Sequence, residues 1–319
     1  MNYPNFYLLF DHIEIQAANT ISSPITYGFP ALTGFTGAIH ALSRKLFPQQ
    51  VELGGVMIAC HDYQILGYKN SDFSDLTFNQ TRNPLKKNGD SPSIIEEGKI
   101  HLDISLVVEM EVKDPELYYA LNSQDSEQKT QFLEHCKKLL MQQRIAGGSV
   151  FQIENVELFN LSDTKEIKLA LMPAFVLMDA KQTLADITQS LQNGISNNEI
   201  TICPATPNAN ALDALLEVAT LHHIPLSEHA TSQEWETFNV NQGKGWLVPI
   251  PVGYQAISPL FTAGEMQNCR TTEYPSQYVE TVYSLGKWVF PFSLPDDLSQ
   301  CFWHYNTPQD NLYLITQGA

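Results

Sequence analysis

Two short segments combine cationic side chains with glycine or neutral polar residues, a mixture that can bind phosphate groups. The first is the centre of a long polar insertion, residues 79–90, which includes Arg82, Asn83, Lys86 and Lys87. Cations of this kind bind phosphates, and neighbouring amides or hydroxyls can read base edges or sugar hydroxyls. A solvated hairpin would have the same composition. The segment therefore predicts either a nucleic-acid contact or an exposed polar turn.

The second segment is Arg144-Ile-Ala-Gly-Gly-Ser149. Glycines allow a phosphate backbone to approach closely, and exposed backbone amides can bind an anion. Gly147-Gly148 at the end of a helix is also ordinary helix capping, and we expect this pair to close the preceding helix. The position of the loop, at the edge of a predicted sheet beside the basic insertion, favours anion binding in addition.

Enzyme signatures are few in this sequence. It contains no nucleotide-binding glycine loop and no Gly-x-Ser-x-Gly motif. His222 and His223, with Glu228 and His229 nearby, form the visible cluster of histidine and acidic residues. A zinc site needs a further ligand at a defined spacing, which is missing. We therefore predict an exposed polar helix end there and no metal site or other cofactor.

A second pair of histidines, His61 and His101, falls on two neighbouring predicted strands. Such a pair could meet as a general acid and base, and a metal-independent ribonuclease using either histidine with Lys86 or Tyr63 is one alternative function. Histidines with structural hydrogen-bond partners are the other interpretation.

The bulk composition indicates a folded globular protein. The chain has 319 residues with 43% hydrophobic content, and its five cysteines are dispersed without a Cys-x-x-Cys pair. Reduced thiols in a cytoplasmic protein are the simplest interpretation. No Lys or Arg precedes Arg44, and no apolar run approaches the roughly 20 residues of a spanning helix. We expect neither export nor membrane contact.

The net charge of −17 is unusual for a nucleic-acid binder, which is expected to be basic. Residues 1–181 hold 15 basic and 22 acidic groups, whereas residues 182–319 hold 3 and 13. Any RNA contact should therefore use local basic clusters of the first part. The second part indicates a surface for protein partners or a solvated acidic face.

The elements that would position these loops alternate in a recognisable order. Hydrophobic periodicity predicts strands at 6–15, 51–61, 99–112 and 149–158, and helices at 31–46 and from 115 towards 144. This strand, helix, strand, strand, helix, strand order is that of α+β ferredoxin-like folds, which include RNA-recognition (RRM-like) domains. We predict a body over residues 1–160 with an insertion at 62–98, and a C-terminal elaboration over residues 161–319 packed on the body.

Beyond residue 160 the pattern is weaker. We predict helices at 181–192 and 209–221, a loop at 231–245, and extended segments at 246–251, 279–289 and 312–315. Residues 15–43 are notable because they include no Asp, Glu, Lys or Arg, yet they are rich in Asn, Ser, Thr, Gly and Pro. A long uncharged polar loop indicates backbone and amide groups buried against the protein or a ligand.

Several of these segments, in one order along the chain, carry a family resemblance. They are 19–30, 33–42, 81–85, 96–98, 144–149 and 245–259. The chain resembles the second-subunit family of the type I-F CRISPR surveillance (Csy) complex, the Cas-five-type members of the repeat-associated RNA-binding superfamily.

The resemblance implies a ferredoxin-like body with a thumb-like insertion, binding of the CRISPR RNA (crRNA) 5′ handle, and no catalysis. It implies a heterodimer with the large subunit, contact with the first repeated backbone subunit, and target DNA met indirectly through the complex. The RNA-binding residues would be Asn19, Ser22, Ser23, Thr26, Arg44, Arg82, Asn83, Lys86, Lys87, Arg144, Gly147, Gly148 and Ser149. A purely structural bridge between subunits is the remaining alternative.

Overall fold

A computed structural model describes residues 4–123, 126–197, 200–225, 235–269 and 271–318, and it shows an α+β protein. The helices are α1 (Thr33–Leu46), α2 (Pro115–Asn122), α3 (Glu127–Met141), α4 (Thr164–Ala170), α5 (Lys181–Asn193) and α6 (Ala211–Val218). Among the described residues, no helix has the length and apolar character needed to cross a membrane.

The described residues form sixteen strands. The strands are β1 (Phe6–Asn19), β2 (Val51–Tyr68), β3 (Thr77–Arg82), β4 (Ile94–Glu97), β5 (Lys99–Val112), β6 (Arg144–Ile145), β7 (Gly148–Asn160), β8 (Phe175–Asp179), β9 (Ile195–Asn197), β10 (Ile200–Cys203), β11 (His222–Pro225), β12 (Trp235–Phe238), β13 (Trp246–Ala256), β14 (Val279–Val289), β15 (Trp303–Gln309) and β16 (Leu312–Gln317). The longest pairings, of β1 with β5 and β7 and of β2 with β5, are antiparallel.

Four long strands form the centre of the sheet, in the order β7–β1–β5–β2. Phe6 of β1 lies opposite Met110 of β5 on one side and Asn160 of β7 on the other. These strands are the four that periodicity predicts, so that part of the prediction is confirmed. β1 and β2 are longer than expected, reaching Asn19 and Tyr68, which carries the sheet into the polar segments that follow them.

Helix α1 packs on this sheet through the stripe that its sequence predicts. Phe35, Ile39, Leu42 and Leu46 recur at three- and four-residue spacing and are buried, and α1 contacts β2. Each such side chain contributes about 1.5–3 kcal/mol when it leaves water. On the other side of the helix, Gly37, His40 and Arg44 are exposed.

The single helix predicted from 115 towards 144 is wrong, because the segment forms two helices. Asp114 caps α2, accepting from the Glu116 amide, and the Ser123 hydroxyl donates to the Tyr119 carbonyl where α2 ends. The Ser126 hydroxyl accepts from the Lys129 amide and starts α3. Serine side chains compete for backbone hydrogen bonds, so a helix ends and restarts here.

The described chain divides into two compact units. Unit 1 comprises residues 1–176, 251–282 and 290–319, and unit 2 comprises residues 177–250 and 283–289. This division differs from the boundary expected at residue 160, because β15 and β16 return to the sheet of unit 1. Trp303 of β15 lies opposite Val56 of β2 and also pairs with Gln317 of β16.

Unit 2 has its own core around α5 and α6. Leu184, Ile187 and Leu191 of α5 pack with Leu215 and Val218 of α6. Both helices are predicted from the sequence, although α6 is shorter than the 209–221 expected.

The loop predicted over 231–245 is wrong in part, because Trp235–Phe238 is strand β12 and pairs with β11; residues 231–234 lie outside the described chain. A four-residue strand with a distant partner leaves little local periodicity.

Candidate nucleic-acid interface

An open groove of about 470 Å³ in unit 1 joins three segments that are far apart in sequence. They are the end of β1 with the loop that follows it, the first half of α1, and the turn between β6 and β7, and Tyr254 of β13 adds one further side chain. The lining residues are Asn19, Ile21, Ser22, Pro30, Ala31, Thr33, Gly34, Gly37, Ala38, Ala41, Gln143, Arg144, Ala146, Gly147 and Tyr254. The structure thus brings four of the predicted contact residues together: Asn19, Ser22, Arg144 and Gly147.

The glycine loop is a hairpin turn, and the prediction that Gly147-Gly148 closes the preceding helix is wrong. Helix α3 ends at Met141, and Ile145 pairs with Gly148 across a two-residue turn. Ala146 and Gly147 both have positive φ, 49° and 80°, as a tight hairpin turn requires. Gly147 is therefore favoured at its position by backbone conformation as well as by space.

Close backbone contacts fix this turn against β1 and α1. The Asn19 amide donates to the Ala146 carbonyl at 2.9 Å, and the Ala146 amide donates to the Gly34 carbonyl at 3.3 Å. A Cβ atom on Gly34 would lie 2.7 Å from the Ala146 Cα, and one on Gly147 would lie 2.8 Å from the Asn19 Nδ2. Glycine at these positions lets the three segments meet and form the floor of the groove.

The predicted residues of the glycine loop differ in accessibility. Arg144, Gly147 and Ser149 are exposed, whereas Gly148 is buried against Ile15 and Ala18 of β1. Gly148 thus serves the packing of the turn, and its exposed neighbours are available to a ligand.

The uncharged loop after β1 uses its hydroxyls internally. Ser22 and Ser23 each place Oγ close to Thr26 Oγ1, at 2.8 and 2.6 Å, and the Thr26 amide donates to Ser23 Oγ. Ser23 is buried, so within this loop Asn19 and Ser22 are the predicted residues that reach the groove. Lys99 donates to Asn19 Oδ1 at 3.0 Å, a contact that sequence reasoning missed.

The basic insertion forms a hairpin, as predicted. Strands β3 and β4 pair with each other. Strand β3 also pairs with the end of β2, where Phe78 lies opposite Gly67. Its cationic and amide residues, Arg82, Asn83, Lys86 and Lys87, are exposed, and none of them lines the groove. The Tyr27 and Phe78 rings, 5.4 Å apart, join the uncharged loop to the base of this hairpin.

Arg44 lies apart from the other candidates. It lines a second hollow of about 430 Å³ with His40, Ser43, Phe47, Glu52 and Leu53, on the later turns of α1. The structure therefore places Arg144 and Arg44 at different sites.

Tyr254 is a groove residue that the sequence analysis missed. It is 37% exposed, and its ring centroid lies 6.2 Å from that of Tyr313. An exposed ring in a groove can stack on an unpaired base. Tyr254 is more than a hundred residues from the glycine turn in sequence. Only the folded structure shows that both line the same groove.

His61 and His101 each have separate hydrogen-bond partners. His61 places Nδ1 2.9 Å from the Pro173 carbonyl and Nε2 2.7 Å from Ser105 Oγ, while His101 Nδ1 accepts from the Ala17 amide. The ring of His61 stacks on that of His12, with ring centroids 3.9 Å apart, and not on that of His101. Burial, followed by the repulsion of His12, lowers the pKa of His61. Both nitrogens of His61 are thus engaged, which favours the structural interpretation.

The His222 cluster differs from the expected helix end. Helix α6 ends at Val218, and His222 begins strand β11, where it contacts Glu217 and Cys203. Burial, with the nearby charge of Glu217, raises the pKa of the Cys203 thiol to about 11. His223 bonds Thr237 instead, and Glu228 and His229 lie outside the described residues.

Comparison with known proteins identifies the class of protein to which this chain belongs. A protein-family profile described as "CRISPR-associated protein (Cas_Csy2)" matches residues 8–315. The chain is also 32% identical over 330 aligned positions to the CRISPR-associated protein Csy2 of Pseudomonas aeruginosa (strain UCBPP-PA14), covering 97% of this chain and 94% of that protein.

The chain therefore belongs to the Csy2 family of CRISPR-associated proteins. The family identified from the sequence, that of the second subunit of the type I-F Csy complex, is confirmed.

Proposed function

We propose that this chain is a non-catalytic subunit of the type I-F surveillance complex that holds the 5′ handle of the crRNA. The observation that carries the proposal is the groove in which Asn19, Ser22, Arg144 and Gly147 meet. These are four of the thirteen residues predicted to contact RNA, and they come from segments that are far apart in the sequence.

The groove has the physical character of a site for single-stranded RNA. Arg144 supplies a cation for a phosphate, and Gly147 leaves room for the sugar-phosphate backbone. The N-terminus of a helix is the positive end of its dipole and favours a phosphate. The first turn of α1 contains no acidic residue that would oppose this effect. Asn19 and Ser22 can bond base edges or 2′-hydroxyls, and Tyr254 can stack on a base.

The strand order β7–β1–β5–β2 and its antiparallel pairing support a ferredoxin-like body in this proposal, in which α1 and the pair α2–α3 would be the two crossovers. The β3–β4 hairpin is the thumb in this proposal. Arg82, Asn83, Lys86 and Lys87 would contact nucleotides outside the groove, and Ser149 a phosphate beside it. Ser23, Thr26 and Gly148 would hold the groove in shape, and Arg44 would have a minor role.

Protein partners complete the site in this account. Because the chain carries a net charge of −17, its long-range field repels RNA, and binding by the isolated subunit should be weak. The large subunit, as heterodimer partner, and the first backbone subunit would supply the missing positive charge. Target DNA would be met through the assembled complex.

Filling the groove without disturbing the fold tests the proposal. Gly37 lines the groove, and a Cβ atom on it would meet nothing within 4 Å. We expect Gly37→Leu, in the heterodimer with the large subunit, to weaken binding of handle RNA at least about tenfold, measured by fluorescence anisotropy. The matched variant Gly37→Ala adds a single methyl group and should bind as the wild type does.

Two results would overturn the proposal. One is unchanged RNA affinity in a folded Gly37→Leu heterodimer, which would move the RNA elsewhere or leave a structural bridge. The other is specific cleavage of repeat RNA by the pure protein in EDTA, lost on His61→Ala, which would assign a nuclease.

A further inference from the structure

Unit 2 contains a cluster of three metal-ligand side chains that the RNA groove does not use. Cys203 ends strand β10, Glu217 lies in the last turn of α6, and His222 begins strand β11. Their sulfur, oxygen and nitrogen ligand atoms all lie within 4.8 Å of one another. Cys203 Sγ is 3.5 Å from Glu217 Oε1 and 3.6 Å from His222 Nε2, and the latter two atoms are in direct contact.

The two distances from Cys203 Sγ match those between the ligands of a tetrahedral zinc ion, whereas His222 Nε2 and Glu217 Oε1, now hydrogen-bonded, would move apart to about 3.3 Å when they bind the ion. With Zn–S near 2.3 Å and Zn–N or Zn–O near 2.0–2.1 Å, a sulfur lies about 3.5 Å from its neighbouring ligand atoms. Thiolate, imidazole and carboxylate together suit zinc better than the hard cations, which bind oxygen alone. We propose that Cys203, Glu217 and His222 bind a zinc ion, with solvent in the fourth position.

The position of Glu217 supports a cation at this site. A carboxylate in the last turn of a helix lies at the negative end of the helix dipole, so both the carboxylate and the dipole favour a cation bound there. A thiolate and a carboxylate together carry two negative charges, which one Zn²⁺ balances. Binding releases the thiol proton of Cys203, because a zinc-bound thiol is deprotonated. The surrounding unit, with three lysines and eight acidic residues, also attracts cations.

The ion would connect three elements, which are the β9–β10 hairpin, the β11–β12 hairpin and the end of α6. The β9–β10 and β11–β12 hairpins have strands of only three or four residues, and isolated two-stranded sheets are marginally stable. Cys203 already belongs to the core formed by α5 and α6. Zinc would hold both hairpins to the end of α6.

Metal content of the full-length protein tests the site. After saturation with Zn²⁺ and gel filtration in metal-free buffer, the wild type should retain about one equivalent of zinc by elemental analysis. The Co²⁺-loaded protein should show a near-ultraviolet thiolate-to-metal band. Cys203→Ser should lose that band and raise the zinc dissociation constant by more than about tenfold. Glu217→Gln, which keeps the side-chain shape, should weaken zinc similarly.

Two neighbours serve as controls. His223→Gln changes the adjacent histidine, which bonds Thr237, and Cys269→Ser changes a cysteine near Ser276. Both variants should bind zinc as the wild type does. A wild type that retains no zinc after saturation overturns the proposal, and leaves only an ion pair between Glu217 and His222. A thiolate band in Cys203→Ser, or one lost in Cys269→Ser, overturns it as well.

Discussion

Two arginines predicted to bind phosphate, Arg144 and the weaker candidate Arg44, occupy different environments. Arg144 lines the groove together with Gly147, whereas Arg44 lines a separate hollow with Glu52. A cation is useful to RNA only where the phosphate chain passes, so the fold separates the two candidates. Sequence composition cannot do so.

This difference predicts unequal effects of neutralising each arginine. Arg144→Gln in the heterodimer should cost about 1.5–3 kcal/mol of RNA-binding free energy, as expected for a lost charge-assisted contact. It should also reduce the slope of log K against log salt concentration by about one. Arg44→Gln should leave affinity and slope close to wild type. Anisotropy titrations at several salt concentrations measure both quantities, and equal slopes for the two variants would contradict the assignment.

The sequence indicates which loop residues could bind RNA, but it does not show which of them lie in the groove. Arg144 and Asn19 were recognisable because cationic, glycine-rich and uncharged polar segments are locally unusual. Tyr254 and Lys99 were not, because each reaches the groove region only through the fold. Ser23 and Gly148 look accessible in the sequence, but internal hydrogen bonds and packing use them.

Among the elements, the contact of α1 with the β6–β7 turn governs the shape of the groove. A methyl group on Gly34 would overlap the backbone of Ala146, which cannot move as a side chain can. Gly34→Ala should therefore lower the free energy of unfolding by about 1–3 kcal/mol through overpacking. Gly37→Ala, on the same helix, meets open space and should raise it by up to about 1 kcal/mol through better helix propensity. Urea unfolding of both variants checks this, and equal stabilities would contradict the packing described.

A second element-scale prediction concerns the attachment of β15 to the central strands. His304 Nε2 lies 2.6 Å from the buried Glu109, which also accepts from the Gly55 amide. The hydrogen bond to Glu109, together with its charge, raises the pKa of His304 above 6.5. Since the folded state binds this proton more tightly than the unfolded chain, the stabilisation is complete below the ordinary pKa. It is lost as pH rises through the raised pKa.

His304→Gln keeps a hydrogen-bond donor but does not titrate, so it isolates the contribution of the charge. The wild type should exceed the variant in thermal stability below pH 6.5, and the difference should shrink in mildly alkaline buffer. Thermal unfolding of both proteins, once below pH 6.5 and once in mildly alkaline buffer, measures this difference in stability. A difference that grows with pH would contradict the assignment.

The elements themselves were largely predictable, and their interruptions were not. The four central strands and α1 show clear periodicity because one or both faces are buried. The break between α2 and α3 depends on serine hydrogen bonds, and β12 depends on a partner that precedes it by more than ten residues. Local patterns carry little information about either.

For the whole molecule, the net charge of −17 opposes the RNA binding that we propose for the groove, so the proposal requires positive charge from other subunits. The proposed sites lie in different compact units. The groove and the β3–β4 hairpin belong to unit 1, and the zinc site that we propose belongs to unit 2. The C-terminal residues complete the sheet of unit 1, which the sequence could not show because β15 pairs with β2 across some 250 residues.

The most direct test of the account is sequencing of the RNA that co-purifies with this chain when it is co-expressed with the large subunit and a CRISPR array. We predict guide RNAs with an intact 5′ handle, retained by Gly37→Ala and strongly depleted in Gly37→Leu and in Arg144→Glu. A stable heterodimer free of RNA, or one that carries guides without the handle, would contradict the central claim.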